Sequence, residues 1–181
     1  KKIILYAPTH RQEGKIVFPL KEQFDFEKLN QWCVEHNMVF VIRRHFYHKN
    51  EEVDFSMYSN ITDITKKSMD IQEILMDTDI LISDYSSTYI DYLLLDRPLI
   101  FYNFDYEDYL QNDREMYYDY DEVTPGYKAA IFDELMTELD SIAKDEDHFV
   151  EERQRVRDLF YCKDGQQMVG EKLLEFLKNL K

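Results

Sequence analysis

The stretch DILISDYSSTYIDYLLLDRPLIFY, residues 79–102, decides the fold. It begins with an apolar run at 79–83, turns at Asp-Tyr-Ser-Ser, continues with helical spacing at 87–95 and ends in a second apolar run at 98–102. Short apolar runs bounded by turn residues predict buried strands. A helix between two such runs indicates that both strands lie parallel in one sheet. The stretch therefore predicts a strand, helix, strand unit.

The same alternation occurs before this stretch. Apolar runs at 2–7 and 38–43 flank an amphipathic helix at 25–37, and a short β-like piece follows at 61–64. We expect a further helix with Ser68 as its N-cap just before the central stretch. Together these patterns predict an α/β fold, a doubly wound and mainly parallel Rossmann-like sheet with helices on both faces.

The region after the central stretch is less regular. Residues 106–125 are rich in Tyr and acids with weak periodicity, which predicts a long loop with one short helix. A last strand is predicted near 128–132. Helices are then predicted at 133–144, 148–161 and 166–180. We expect residues 1–146 to form the Rossmann-like domain and residues 147–181 to form carboxyl-terminal helices that pack on or beside it.

The composition excludes several classes of function. Of the 181 residues 44% are hydrophobic, which is ample for a core, and the formal net charge is −15. Binding to the phosphate backbone of a nucleic acid requires an excess of Lys and Arg. This acidic chain lacks that excess, and we expect no nucleic-acid partner. No run approaches the roughly 18 apolar residues of a membrane-spanning helix, and we expect a soluble, intracellular fold. The histidines and cysteines lack metal-ligand spacing, so no metal and no cofactor are predicted.

Parallel α/β sheets bind ligands beyond the carboxyl ends of their strands, so the residues at those ends are the candidates for a site. Ser86 and Ser87 follow the central strand and open a helix, where hydroxyls and unpaired N–H groups attract anions. They predict a phosphate cradle without glycines. The competing interpretation is that one of the two serines simply caps the helix.

The second strand ends in Arg43-Arg44-His45. Because strand side chains alternate, Arg43 and His45 are expected to point one way and Arg44 the other. A guanidinium supplies fixed positive charge, and an imidazole can donate a proton near neutral pH. This pair suits a nucleotide diphosphate.

The first strand ends in Thr9 and Arg11, which add a hydroxyl and another guanidinium at the same rim. Asp91 lies one turn into the helix after Ser87, where its carboxylate can accept hydrogen bonds from a ligand hydroxyl or can be merely solvated. Asp84 is expected to orient the turn by accepting a hydrogen bond from its own backbone two residues on. If the sheet order brings these strand ends together, they surround one pocket for a pyrophosphate.

With these residues in place, the chain resembles the carboxyl-terminal half of the CDP-glycerol glycerophosphotransferase family, the polymerases and primases of teichoic acids and related capsule polymers. Four segments carry the resemblance: ILYAPTHR, VIRRH, the run from DIQEILMDTDIL through YNFDYEDY, and YYDYDEVTPG. They span nearly the whole chain. Two places depart from the family pattern, at 114–116 and at 167–170, and they bear on acceptor choice and on the last helix.

The resemblance implies a two-domain glycosyltransferase-B architecture, in which this half binds CDP-glycerol and the active site lies between the halves. It implies that His45 stabilises or protonates the departing phosphate. The donor-binding residues implied by motif position are Pro8, Thr9, Arg43, Arg44, Ser86, Ser87 and Asp91. The general base is expected on the missing amino-terminal domain, so the isolated fragment is expected to be inactive. The implied acceptor is a lipid-linked polyol-phosphate or glycan, at the cytoplasmic face of the cell membrane.

Two alternatives stay open at the level of sequence. The phosphate cradle recognises phosphate rather than the transferred group, so CDP-ribitol or a nucleotide sugar is an equally compatible donor. A non-catalytic module such as a signalling receiver, with Asp84 as phosphate acceptor, is the alternative from another class.

Overall fold

The fold is a parallel sheet of six strands, as a computed structural model shows for residues 1–12, 15, 17–51, 53–113, 116–161 and 169–179. The strands are β1 Lys2–Tyr6, β2 Met38–Ile42, β3 Ile61–Asp63, β4 Ile80–Ser83, β5 Leu99–Tyr102 and β6 Tyr127–Ala129. Their order is β3-β2-β1-β4-β5-β6, and all five neighbouring pairs are parallel. The predicted doubly wound α/β fold is confirmed.

Helices cover both faces of this sheet because the side chains of each strand alternate between two apolar cores. The helices are α1 Leu20–Gln23, α2 Phe26–Glu35, α3 Ile71–Asp77, α4 Thr88–Tyr92, α5 Tyr106–Asn112, α6 Tyr120–Val123, α7 Phe132–Ala143, α8 Val150–Phe160 and α9 Val169–Asn179. Ile4 and Tyr6 of β1 face the core that α2 and α7 cover, whereas Leu5 faces the core of α3, α4 and α8. Burial on both faces explains why the strands read as continuous apolar runs.

Two local expectations were wrong, and one short helix was not predicted. The helix expected to begin after Ser68 begins instead after Asp70, whose carboxylate accepts a hydrogen bond from the Gln72 N–H at 2.9 Å. The short helix α1 gave no recognisable pattern in four residues. The segment 106–125 contains two helices rather than one, because α5 buries Tyr109 and Asp119 caps α6 by accepting from the N–H of Asp121 at 2.9 Å.

The carboxyl-terminal helices differ in how they meet the sheet domain. Helix α8 docks through Val156, which is fully buried, and through Arg153, which forms ion pairs with Asp96 and Asp147. Helix α9 carries exposed apolar side chains. This helix was predicted at 166–180. It is present over Val169–Asn179, and the rest of the predicted range lies outside the described residues. No helix within the described ranges is long and apolar enough to cross a membrane.

The sheet order places a crevice between β1 and β4. From β1 the chain proceeds outward to β2 and β3, then returns to the other side of β1 and continues through β4, β5 and β6. Connections on the two sides diverge at such a switch point and leave room at the carboxyl ends of the strands. The residues that follow β1, β2 and β4 therefore meet at one edge.

Candidate nucleotide-diphosphate site

A cleft of about 840 Å³ lies at this edge. Most of the residues predicted for the site line it, namely Pro8, Thr9, Arg43, Arg44, His45, Ser86 and Ser87. Thr9 follows β1, His45 follows β2 and Ser86 follows β4, so side chains far apart in sequence share one wall because their strands are neighbours. The predicted convergence of the three strand ends is present in the structure. His10 also lines the cleft, although the sequence analysis did not select it.

Arg11 does not face the cleft, contrary to the expectation that it adds a guanidinium at the rim. Its side chain is buried, and it forms ion pairs with Asp84 at 2.9 Å and with Asp105 at 2.5 Å. The aromatic rings of Tyr85 and Tyr109 lie 5.0 and 5.3 Å from the guanidinium carbon. Sequence alone could not show this, since Asp105 is 94 positions away in the chain. Arg11 thus ties the end of β1 to the ends of β4 and β5.

Asp84 is the centre of that buried network, and within its own turn it accepts from the next residue rather than from the expected position two residues on. Its Oδ1 accepts hydrogen bonds from the Thr9 N–H at 2.8 Å, the Thr9 hydroxyl at 2.7 Å and the Tyr85 N–H at 2.6 Å. The carboxylate side chain is fully withdrawn from solvent. A receiver-type phosphate acceptor must be open to its phosphate donor, so this burial removes the receiver alternative.

The two arginines after β2 divide as strand alternation predicts. Arg44 is buried, and its guanidinium donates to Glu51 at 3.0 Å and to Asp63 at 2.9 Å. Arg43 is partly exposed in the cleft and makes longer hydrogen bonds to the carbonyl oxygens of Arg44 and Met69. The Nε atoms of both arginines are buried without an acceptor among the described residues, so the two differ in exposure and in the carboxylates that pair with Arg44. Arg43 therefore keeps capacity to bind an anion, whereas the charge of Arg44 is compensated.

His45 lies in a cluster of rings at the cleft wall. The His10 ring centroid is 4.6 Å from that of His45, and Tyr47 lies at the same distance. Burial lowers the pKa of His45 below its ordinary value, and electrostatic interaction with the neighbouring side chains of His10, His48 and Arg43 lowers the pKa further. The Tyr47 N–H donates to Nδ1 at 3.4 Å. This bond favours the neutral tautomer with its proton on Nε2, which can donate to a ligand oxygen.

The two serines after β4 have different roles. The Ser86 Oγ accepts a hydrogen bond from the Thr88 N–H at 3.3 Å and donates to the Thr88 Oγ1 at 2.8 Å, so Ser86 supports the start of α4. Ser87 occupies the N-cap position, but its hydroxyl makes no capping hydrogen bond. The capping interpretation therefore applies to Ser86, and the phosphate-cradle interpretation stays a prediction, with the Ser87 hydroxyl free of a capping bond. Helix α4 is only five residues long, so its dipole would contribute little to anion binding. The hydroxyls and N–H groups would supply most of the attraction for an anion here.

Asp91 is outside the cleft as far as the described residues define it. Its carboxylate is exposed and accepts hydrogen bonds from the Tyr161 hydroxyl at 2.8 Å and from Gln72 at 3.3 Å. Burial, with the Asp91 hydrogen bond and charge, raises the pKa of Tyr161 to about 12. In this structure the Asp91 carboxylate joins the end of α8 to α4, and its bond to a ligand hydroxyl stays a prediction.

Aromatic and apolar side chains also line the cleft, and the sequence did not predict them. They are those of Tyr109, Met116, Tyr117, Tyr118, Tyr120 and Phe160. The signal was present in the Tyr-rich segment 106–125, but a loop was expected there. Arg114 and Glu115, one of the two departures from the family pattern, lie outside the described residues, as do residues 167 and 168 of the other.

A six-stranded parallel sheet in this order, with a cleft at the switch point, defines a Rossmann-like domain of the glycosyltransferase-B type. Two glycosyltransferase structures at 12% identity show the same fold: the glycotransferase of kitacinnamycin, with a TM-score of 0.61 over 97% of this chain, and SnogD from Streptomyces nogalater, with 0.56 over 98%. The family model of CDP-glycerol:poly(glycerophosphate) glycerophosphotransferases matches residues 1–177. The chain belongs to this family.

Relatives of known role confirm the family assignment, and this chain matches only part of the length of each relative. The ribitol-phosphate polymerase TarK of Staphylococcus aureus is 37% identical over 83% of this chain, and the poly(glycerol phosphate) polymerase of Bacillus spizizenii is 39% identical over 70%. The wall teichoic acid polymerase TagF superposes with a TM-score of 0.74 over 99% of this chain at 30% identity. The chain spans 29% of TarK, 32% of the Bacillus polymerase and 42% of the TagF structure.

Proposed function

We propose that this chain is the donor-binding half of a polyol-phosphate transferase that takes glycerol phosphate from CDP-glycerol and releases CMP. The observation that carries the proposal is the cleft at the ends of β1, β2 and β4, where Arg43, His45 and Ser87 present donors to one volume. A volume of about 840 Å³ is within the range of sites for nucleotide-sized ligands. In support, one TagF structure at 28% identity was soaked with CDPG.

In the proposed reaction an acceptor hydroxyl attacks the β-phosphorus of CDP-glycerol. A new bond forms between the acceptor oxygen and that phosphorus, and the bond from the phosphorus to the bridging oxygen breaks. The electron pair leaves with CMP, and the acceptor proton passes to a base on a second domain outside this chain. Arg43 stabilises the negative charge that grows on the leaving phosphate, and the Nε2–H of His45 donates to it. Ser87 holds a phosphate oxygen beside them.

The proposal assigns the remaining parts to regions beyond this chain. The share of the relatives that it spans leaves room for a second Rossmann-like domain facing the cleft. We place acceptor recognition there, for a lipid-linked teichoic acid or capsule polymer at the cytoplasmic face of the membrane. The chain alone is then expected to bind the nucleotide and to turn over little or none of it.

CDP-ribitol is the second candidate donor, because a specific observation favours it. TarK and TarL of Staphylococcus aureus, both ribitol-phosphate polymerases, are each 37% identical to this chain. The residues that contact phosphate would serve either donor equally. Competition between CDP-glycerol, CDP-ribitol and UDP-glucose for bound CDP separates a polyol donor from a nucleotide sugar and one polyol from the other.

Isothermal titration of the folded chain with CDP tests the proposal. We expect saturable binding of CDP, and Arg43→Gln is expected to weaken it by about tenfold or more, since a hydrogen bond to a charged group contributes about 1.5–3 kcal/mol. Arg155→Gln is the matched control, because Arg155 does not line the cleft and its exposed guanidinium pairs with Glu152 and donates to the Glu122 carbonyl oxygen. A folded chain that binds neither CDP nor CDP-glycerol excludes the proposed function.

A further inference from the structure

Thr9 donates both its backbone N–H and its hydroxyl proton to Asp84. The Thr9 N–H donates to Asp84 Oδ1 at 2.8 Å, and the Thr9 hydroxyl donates to the same oxygen at 2.7 Å. The carboxylate also receives the Arg11 guanidinium at 2.9 Å. A carboxylate paired with a guanidinium has no proton to return, so the hydroxyl must be the donor in its bond to Asp84.

Thr9 lines the cleft, and its hydroxyl can act there only as an acceptor. A hydroxyl has one proton and two lone pairs, so with its proton held by Asp84 the Thr9 oxygen has only lone pairs left for a ligand. Phosphate oxygens present lone pairs as well, so a contact between the two is repulsive. Thr9 was expected to join the phosphate cradle, and the geometry argues against that role.

We propose that Thr9 accepts a hydrogen bond from a hydroxyl of the bound nucleotide-linked donor, on its ribose or on its polyol, and does not bind the diphosphate. This assignment rests on the proposed function, and it makes Thr9 a specificity-determining residue. The diphosphate is left to Arg43, Ser87 and the Nε2–H of His45, which retain donors. A ligand without the matching hydroxyl cannot donate a hydrogen bond to the Thr9 oxygen, and it therefore binds more weakly.

The experiment compares three ligands by NMR titration of the ¹⁵N-labelled chain: inorganic pyrophosphate, CDP and CDP-glycerol. Thr9→Val keeps the branched shape and removes the oxygen, whereas Thr9→Ser keeps the oxygen. We expect Thr9→Val to leave the affinity for pyrophosphate within about twofold and to weaken CDP-glycerol by about three- to tenfold, the range for one neutral hydrogen bond. An equal loss for CDP assigns the bond to the ribose, and a loss for CDP-glycerol alone assigns it to the polyol. Thr9→Ser should behave as the unaltered chain.

A measurement without ligand covers the case in which Thr9→Val does not fold. The Thr9 hydroxyl proton of the unaltered chain should exchange slowly enough to be observed, because it is held by Asp84. Rapid exchange of that proton overturns the proposal. Equal losses for pyrophosphate and CDP-glycerol in Thr9→Val, or no loss for any ligand, also overturn it while the proposed function stands. If the unaltered, folded chain binds none of the three ligands, both the Thr9 proposal and the proposed function are excluded.

Discussion

The guanidinium of Arg11 lies 2.9 Å from the carboxylate of Asp84, and both side chains are buried. Asp84 in turn holds Thr9 at the end of β1, and Arg11 reaches Asp105 beyond β5. The wall of the cleft therefore depends on charges that are withdrawn from solvent. Burial by itself lowers the pKa of Arg11, but the two carboxylates outweigh it and raise the pKa, so the guanidinium stays charged.

Arg11→Met should strongly destabilise the chain. Removing one partner of a buried ion pair leaves an uncompensated charge, which typically costs about 3–5 kcal/mol. Urea unfolding of the variant is the measurement, with Arg155→Met as the control at an exposed pair, where a change below about 1 kcal/mol is expected. Equal stability of Arg11→Met and the control would show that the Asp84 network does not hold the strand ends.

Ser86→Ala and Ser87→Ala should separate stability from ligand binding. Ser86 accepts from the Thr88 N–H, so its loss should lower the free energy of unfolding by about 0.5–2 kcal/mol. The Ser87 hydroxyl makes no capping bond, so its loss should leave stability nearly unchanged and weaken CDP by about three- to tenfold. Chemical denaturation and calorimetric titration of both variants provide the comparison. The reverse pattern, with Ser86→Ala weakening CDP alone, contradicts the assignment.

The lowered pKa of His45 predicts a pH dependence of stability. In the unfolded chain the imidazole takes up a proton near its ordinary pKa of about 6.5, whereas the folded chain resists this uptake. The His45 contribution to stability is therefore present above pH about 6.5 and is lost as the pH falls toward the lowered pKa. His45→Gln should lose less stability than the unaltered chain between pH 7.5 and 5.5. Indistinguishable pH profiles of denaturant midpoints would count against the shift.

Bound CDP should raise the pKa of His45, because the phosphate charge favours the imidazolium. An NMR titration of the His45 ring with and without CDP measures this change directly. Unchanged titration in the presence of saturating CDP would place the phosphate away from His45.

Gly126 should not tolerate a side chain. A Cβ built at this position lies 2.5 Å from the Leu99 carbonyl oxygen, where β5 begins, so Gly126→Ala forces the backbone of β5 or β6 to move. A cost of about 1–3 kcal/mol in unfolding free energy is expected for such overpacking. Gly170→Ala in α9 is the matched control, since its Cβ meets no atom of the described chain within 4 Å and alanine favours a helix. Comparable melting temperatures for the two variants would contradict the close approach.

The sheet was predictable from sequence because burial on both faces leaves continuous apolar runs, and the ends of those runs indicated where Thr9, His45 and Ser86 would meet. The pairings inside the site were not predictable. Arg11 and Asp105 are far apart in the chain, and a guanidinium at a strand end can equally face a ligand or a buried carboxylate. Only the tertiary arrangement decides between them.

Local competition explains the other differences. Ser68 and Asp70 are both good caps, and the helix starts at the one whose carboxylate reaches the first free N–H groups. The Tyr-rich segment forms α5 and α6 because Tyr109 and Tyr120 are buried against the sheet domain, and this tertiary contact outweighs weak periodicity.

Because the ends of three strands are joined through the single guanidinium of Arg11, a nucleotide that binds as proposed should meet a surface already in its final shape. Little ordering of the main chain should accompany ligand capture, so the association rate should approach that of a rigid receptor and show no slow, ligand-independent phase in stopped-flow mixing.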